Sequence, residues 1–327
     1  MEVAVIADFQ GKGYEFARGV YEYLKTKGLA TSFVGIEKSV FKDKEFKVRI
    51  SENIRRKKCF FIHDGNKEPS EWFAELLFVL EALSFSSPEE INIILPYMRF
   101  TRQDRKESSR VSVNAKVVAE VISLYADRGM TVDLHAPQIQ EYFNIPFDNL
   151  YSSPNLIEYL KQNYPEILKE LVIVGTDLGG GKRVEALAKM LAEKGIKAEI
   201  ALGYKTREKD NEVARTMVIG EVKDKNCLIV DDIIDTGNTM IKTAEVLKKN
   251  GAKKVYAYGT HGLFTEGYEK FNVFDKVFVS DTLKNNGVEV VSLVGLFGEA
   301  IYRTVVGESL SSLFDVAKNE GQKQLKI

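Results

Sequence analysis

The chain has little sulfur chemistry to offer. There are two cysteines, Cys59 and Cys227, in 327 residues. Two thiols cannot build a disulfide framework or close a four-ligand zinc site alone. Each lies in a strand-like run, KKCFFI and KNCLIV, so both are expected as buried, reduced thiols. Charge of one sign is also missing: 46 Lys and Arg stand against 47 Asp and Glu, for a net charge of -1. Nucleic-acid binders usually carry a basic excess, so no nucleic-acid partner is expected. No apolar run approaches the ~18 to 20 residues that span a bilayer. The start, MEVAVIADFQGKGYEF, lacks the long apolar stretch of a signal peptide. No membrane partner and a cytoplasmic location are therefore expected.

What is present is an ordinary globular mix, 44% hydrophobic and 28% charged, long enough for two domains. Short apolar runs at residues 2–7, 58–63, 91–97 and 130–135 alternate with amphipathic stretches of helical spacing. Residues 144–155, NIPFDNLYSSPN, are rich in Pro, Asn and Ser and break this pattern. The alternation then restarts with LVIVGT, KAEIALGY, CLIVDD and KVYAYGTHG. Continuously apolar strands spaced by amphipathic helices imply parallel sheets covered on both faces. The expected fold is α/β, with two tandem domains over residues 1–150 and 151–307. No residue-level repeat between the halves is evident in the sequence.

The stretch LIVDDIIDTGNT, residues 228–239, carries the most chemistry. An apolar strand precedes it and an amphipathic helix follows. In such sheets ligands bind beyond the carboxyl ends of strands. A helix N-terminus there offers unpaired N–H groups and the positive end of its dipole to a phosphate. Thr236 and Thr239 add hydroxyls, and Gly237 permits close backbone approach. Asp231, Asp232 and Asp235 would repel a phosphate unless they face something else. Carboxylates accept hydrogen bonds from sugar hydroxyls and ligate Mg²⁺. Together these groups suit a phosphorylated sugar. The unit resembles the ribose-phosphate loop of the type I phosphoribosyltransferase fold, which implies two phosphoribosyltransferase-like domains, each a mostly parallel sheet flanked by helices.

Further stretches narrow the resemblance. LPYMRFTRQDRK, residues 95–106, presents Arg99, Arg102 and Arg105 around Gln103 and Asp104, and guanidinium forks suit phosphate oxygens. MTVDLHAPQIQEYFNIPFDNLYSSP contains Asp133 and His135. IVGTDLGGGKRVEALAKML places Asp177 before Gly179, Gly180 and Gly181, a sequence suited to a phosphate nest. GYKTREKDNEVAR opens on Lys205 and Arg207 without helical or strand period, which suits a mobile lid. FKDKEFKVRI carries Phe41, Asp43 and Glu45. These motifs, in order, resemble the ribose-phosphate pyrophosphokinase family over about residues 40 to 310. Asn238 stands where that family commonly has a second glycine. IADFQGKGYEF and THGLFTEGYEKF also depart from the family pattern.

The resemblance implies transfer of the β,γ-diphosphoryl group of Mg-ATP to O1 of ribose 5-phosphate, giving 5-phosphoribosyl 1-diphosphate and AMP. It implies Lys205 and Arg207 as catalytic cations. Phe41, Asp43, Glu45, Arg102, Gln103, Asp104 and His135 would bind ATP, the first three reaching across to a neighbouring subunit. Asp231, Asp232, Asp235, Thr236, Gly237, Asn238 and Thr239 would bind ribose 5-phosphate. Asp177, Gly179 and Gly180 would form the diphosphate loop, with His135 and Asp177 linked to Mg²⁺. A homo-oligomer, dimer or hexamer, follows from the shared ATP site, and residues 308–327 are expected to rejoin the first domain. The alternatives are a base phosphoribosyltransferase and a non-catalytic regulatory paralogue.

Overall fold

The computed structural model describes residues 2–29, 31–177, 179–206 and 215–313, with backbone alone at 205–206 and 215–216. The chain forms two compact units. The first comprises residues 1–151, 282–284 and 293–308, and the second takes the remainder.

The first unit opens with β1 (Val3–Ala7), α1 (Tyr14–Thr26), β2 (Thr31–Val40) and β3 (Phe46–Ile50). It continues with β4 (Lys58–Ile62), α2 (Pro69–Ser84), β5 (Glu90–Leu95), α3 (Asn114–Ser123), β6 (Arg128–Val132) and β7 (Phe147–Leu150). The strand order is β3-β2-β1-β4-β5-β6-β7, and every pairing is parallel except β2 with β3. Every residue of β1 is buried, as expected for a central strand covered on both faces. α1 buries Phe16, Ala17, Val20 and Leu24, one stripe at helical spacing.

The second unit runs α4 (Ser153–Asn163), β8 (Leu171–Gly175), α5 (Gly181–Glu193), β9 (Ala198–Thr206) and β10 (Arg215–Ile219). Then come β11 (Asn226–Ile234), α6 (Asn238–Lys249), β12 (Lys254–Gly262), β13 (Lys276–Ser280) and β14 (Glu289–Val291). Its order is β10-β9-β8-β11-β12-β13-β14, parallel except for β9 with β10. Two apolar clusters cover its faces, one around Val174, Ile229 and Leu247 and one around Ile173, Leu228 and Phe278. Cys59 and Cys227 are buried free thiols, and burial pushes both up to about 12.

One helix departs from the sequence-based boundaries. α7 (Val294–Val306) was expected in the second domain, but it belongs to the first unit. Its Phe297 meets Phe16 of α1 edge to face at 5.5 Å, and a Cβ at Gly298 would fall 2.4 Å from the Tyr23 ring. Burial would raise the Glu299 carboxyl. Hydrogen bonds from Lys27, Tyr23 and Arg303 outweigh that and hold it down at about 2. Glycine spacing and apolar contact with α1 therefore decide the helix's membership. Of the described residues of 308–327, expected to rejoin the first unit, Glu308 does so and 309–313 go with the second; 314–327 lie outside the described residues.

Candidate active site

In the second unit the strand runs further than its sequence suggests. β11 continues through Asp231 and Asp232 to Ile234, held by pairing of Ile233 and Ile234 with His261 and Gly262 of β12. Only residues 235–237 then connect to α6. Gly237 has φ +69°, and a Cβ there would lie 2.3 Å from the Phe271 ring, so the turn requires glycine. Asn238 is exposed, and its Oδ1 accepts from Lys270 Nζ at 3.4 Å. Its side chain thus lies outside the turn. Asp235 accepts from the Thr265 hydroxyl at 2.5 Å. Thr236 and Thr239 are half-buried at the start of α6, whose first-turn N–H groups and dipole favour an anion.

Asp231 and Asp232 are both held by Arg183 of α5. Nη1 donates to Asp231 Oδ1 at 2.9 Å, and Nη2 donates to Asp232 Oδ1 at 2.9 Å. The Thr176 hydroxyl donates to Asp231 Oδ2 at 3.0 Å, and the Asp232 N–H donates to Asp231 Oδ1 at 3.0 Å. Asp232 is 3% exposed. Burial raises the Asp231 carboxyl, the negative Asp232 beside it raises it further, and Arg183 and Thr176 oppose both.

The Gly-rich turn before α5 folds around its own acid. Asp177 accepts the Gly180 N–H at 2.9 Å, and a Cβ at Gly179 would fall 3.2 Å from the same carboxylate. Lys205 lies in β9, where its backbone pairs with Thr216 of β10. This corrects the expectation of an irregular segment at that point; an antiparallel hairpin forms instead. Arg207 lies outside the described residues.

In the first unit, residues 41–45 make the tight turn that joins β2 to β3. Phe41 N–H donates to the Glu45 carbonyl at 2.7 Å, and Glu45 N–H donates to Asp43 at 3.1 Å. Phe41 is 51% exposed, and Asp43 and Glu45 are exposed beside it. Arg102 is exposed after β5, Gln103 donates to the Arg105 carbonyl at 3.0 Å, and Asp104 is buried with its carbonyl bonded by the Tyr142 hydroxyl. His135 is exposed at the turn after β6, where Asp133 adopts φ +44° and Asn149 holds the Leu134 N–H at 3.0 Å. The loops after β5 and β6 are neighbours. The arm at Phe41 stands apart from them, because β1 and β4 lie between β2 and β5.

At the carboxyl ends of β1 and β4 the same unit has a cleft of about 480 Å³ lined by Asp8, Lys12, Lys38, Asp64, Asn66 and Lys67 among others. Lys67 bridges Asp8 at 2.6 Å and Glu75 at 2.9 Å, and Glu75 is 1% exposed. His63 is buried beside them. Burial pushes its imidazole down to about 4, and its Nε2–H donates to the Trp72 carbonyl at 2.9 Å.

Comparison with known proteins agrees with this architecture. The model for the N-terminal domain of ribose phosphate pyrophosphokinase matches residues 10–125, and that for the phosphoribosyl transferase domain matches residues 147–295. A ribose-phosphate pyrophosphokinase of Chlorobaculum tepidum is 40% identical over 94% of each chain. Another, of Campylobacter jejuni, is 41% identical over 92% of this chain and 96% of its own. The chain belongs to the ribose-phosphate pyrophosphokinase family. Its fold matches the crystal structure of phosphoribosylpyrophosphate synthetase from Mycobacterium smegmatis with a TM-score of 0.83 at 27% identity, covering 94% of this chain and all of that one.

Within this pyrophosphokinase scaffold, the structure brings Asp231, Asp232 and the 235–239 turn together on one strand and the helix that follows. It does not gather a metal cage: among the described residues no group of three or more His, Cys, Asp or Glu is placed to hold an ion. His135 belongs to the first unit and Asp177 to the second. Sequence reasoning placed Arg183 with Lys182 at the diphosphate turn but not on the acid pair, and it passed over Thr176, Thr265 and Phe271 as site residues. Arg183 had a signal, as the second of two cations, Lys182 and Arg183, after the glycine triplet. Thr265 and Phe271 had none, because only the fold brings residues 265–271 against the sugar-phosphate turn.

Proposed function

We propose that this chain makes 5-phosphoribosyl 1-diphosphate and AMP from ATP and ribose 5-phosphate. The observation that carries the reading is likeness over 94% of both chains to a protein named for this activity, so both domains are represented. O1 of the sugar attacks the β-phosphorus of ATP in line and releases its proton to water, the bond from that phosphorus to the oxygen it shares with the α-phosphate breaks, and AMP departs with the electron pair. Such a transfer depends on positioning and charge neutralisation. The 235–239 turn and the start of α6 would hold the 5-phosphate, and Asp231 and Asp232 would accept from the ribose hydroxyls. Lys205 and Arg207 would neutralise charge building on the transferring group. Arg102, Gln103, Asp104 and His135 would serve ATP.

Mg²⁺ fits the donors present in its usual manner. It keeps several waters and binds through one or two protein groups plus substrate phosphates, so the lack of a three-residue cage among the described residues is compatible with it. Asp177 offers an exposed carboxylate oxygen, and exposed His135 would assist on the ATP side. When bound, the ion would neutralise phosphate oxygens. The exposed arm at Phe41, Asp43 and Glu45 supports an assembly in which a neighbour's arm completes the ATP site. The decisive assay is AMP formation from ATP, Mg²⁺ and ribose 5-phosphate, with light scattering for mass. Folded protein that forms no AMP would refute the reading.

A further inference from the structure

We infer that Arg183 is a positioning residue of the sugar subsite: its guanidinium fork holds Asp231 and Asp232 in the orientation that accepts the ribose hydroxyls, and so ties the sugar subsite to the diphosphate loop. The inference rests on the function proposed above.

The geometry is specific. Successive side chains of a strand point to opposite faces. Asp231 and Asp232 are successive residues of β11, yet a single cation bonds both at 2.9 Å through different nitrogens. A planar guanidinium holds both carboxylates in one fixed geometry through two separate nitrogens, whereas an ammonium is a point charge that fixes neither orientation. The position of Arg183 is also costly in isolation. It is the third residue of α5, in the first turn, where the helix dipole disfavours a cation. The two carboxylates offset that cost, and the nearly buried Asp232 in turn needs a paired charge. α5 begins where the Asp177–Gly180 turn ends, so movement of that turn on binding a diphosphate would be passed through Arg183 to the acid pair.

A rival role is direct contact of Arg183 with the transferring diphosphoryl group. Kinetics separate the two. A residue that acts through Asp231 and Asp232 moves the KM for ribose 5-phosphate, and one that touches the transition-state charge moves kcat. For Arg183→Gln we expect the KM for ribose 5-phosphate to rise about tenfold to hundredfold, by analogy with the loss of a hydrogen-bonded partner behind a metal ligand. The KM for ATP should change less than about twofold. Arg183→Lys should recover part of the loss, since it keeps the charge without the fork's fixed geometry; it is also the variant to measure if Arg183→Gln does not fold. In an Asp232→Asn background, Arg183→Gln should cost less than in the wild type, because the charged bond to Asp232 is already gone and the one to Asp231 remains to be lost. A fall in kcat at unchanged KM for ribose 5-phosphate, or fully multiplicative effects in the double variant, overturns the inference while leaving the function intact. Wild-type protein without AMP formation overturns the function itself.

Discussion

The two units have the same strand order and use its carboxyl end differently. β1, β4 and β5 correspond to β8, β11 and β12, and the edge hairpin β2–β3 corresponds to β9–β10. The match reaches single residues. Cys59 pairs with the second residue of β1, and Cys227 with the second residue of β8. After the first central strand come Asp8 to Gly13 in one unit and Asp177 to Gly181 in the other. At equivalent places along the next central strand come His63 and Asp64, just past β4, in one and Asp231 and Asp232, still within β11, in the other. In the first unit the cleft at this place is lined by charges that pair with one another. A Cβ at Gly11 or Gly13 would fall 2.6 or 2.9 Å from the Asp64 carboxylate, and Lys67 is locked between Asp8 and Glu75. In the second unit α6 starts at a glycine turn with exposed Asn238, and the acid pair is steadied by Arg183. One architecture thus carries a cleft of internally paired charges in one unit and the candidate sugar-phosphate site in the other, depending on which side chains line the equivalent positions.

Four substitutions test how far this contrast extends. The largest effect is expected at the edge hairpin of the second unit. Lys205→Ala should lower turnover roughly 10²- to 10³-fold, as loss of a transition-state cation does, with the melting temperature nearly unchanged. Equal turnover removes Lys205 from the chemistry. In the first unit the cost should fall on stability. Lys67→Met removes the ion pair of Asp8 and leaves Glu75 with Lys38 alone, at 3.3 Å, so about 3 kcal/mol, the low end of the range for breaking a buried pair, should be lost in urea unfolding. A change below about 1 kcal/mol would show that the cluster is not the buried network described.

The third test uses pH. His63 sits at about 4 when folded, against 6.5 for the free side chain, because burial disfavours its charged form. Its neutral form contributes stability above pH 6.5. That contribution is lost as pH falls toward 4, because the unfolded chain takes up the proton first, and the loss reaches at most about 3 kcal/mol. His63→Gln should flatten this part of the stability–pH curve, and an unchanged slope assigns the acid sensitivity elsewhere. The smallest effect is expected at Gly237→Ala. Positive φ and the Phe271 ring together should remove about 2 kcal/mol of stability and weaken ribose 5-phosphate binding. Normal affinity in a stable variant would show that the turn tolerates a side chain.

Much of the fold was legible because central strands such as VAVIA, LVIVG and CLIV are apolar at every position, and helices such as α1 repeat their apolar residues at three and four. The candidate sugar-phosphate turn was legible because its residues are adjacent in the chain. Strand length was not. β11 carries two carboxylates inside its ladder, and polarity read locally ends a strand where hydrogen bonding to β12 continues it. The place of α7 was equally hidden. Its apolar stripe is compatible with any partner, and fit between Gly298 and Tyr23 selects α1.

By itself the sequence determined the α/β class, the family and the run of groups from Asp231 to Thr239, because each depends on periodicity or on neighbours along the chain. The tertiary structure alone decided which distant groups those residues meet: Arg183 and Thr176 on the acid pair, Thr265 on Asp235, Phe271 against Gly237. The reason is range. Dihedral preference and amphipathic spacing act over a few residues, whereas a charge-assisted hydrogen bond between residues 183 and 232 exists only after parallel strands and their crossover helices have packed.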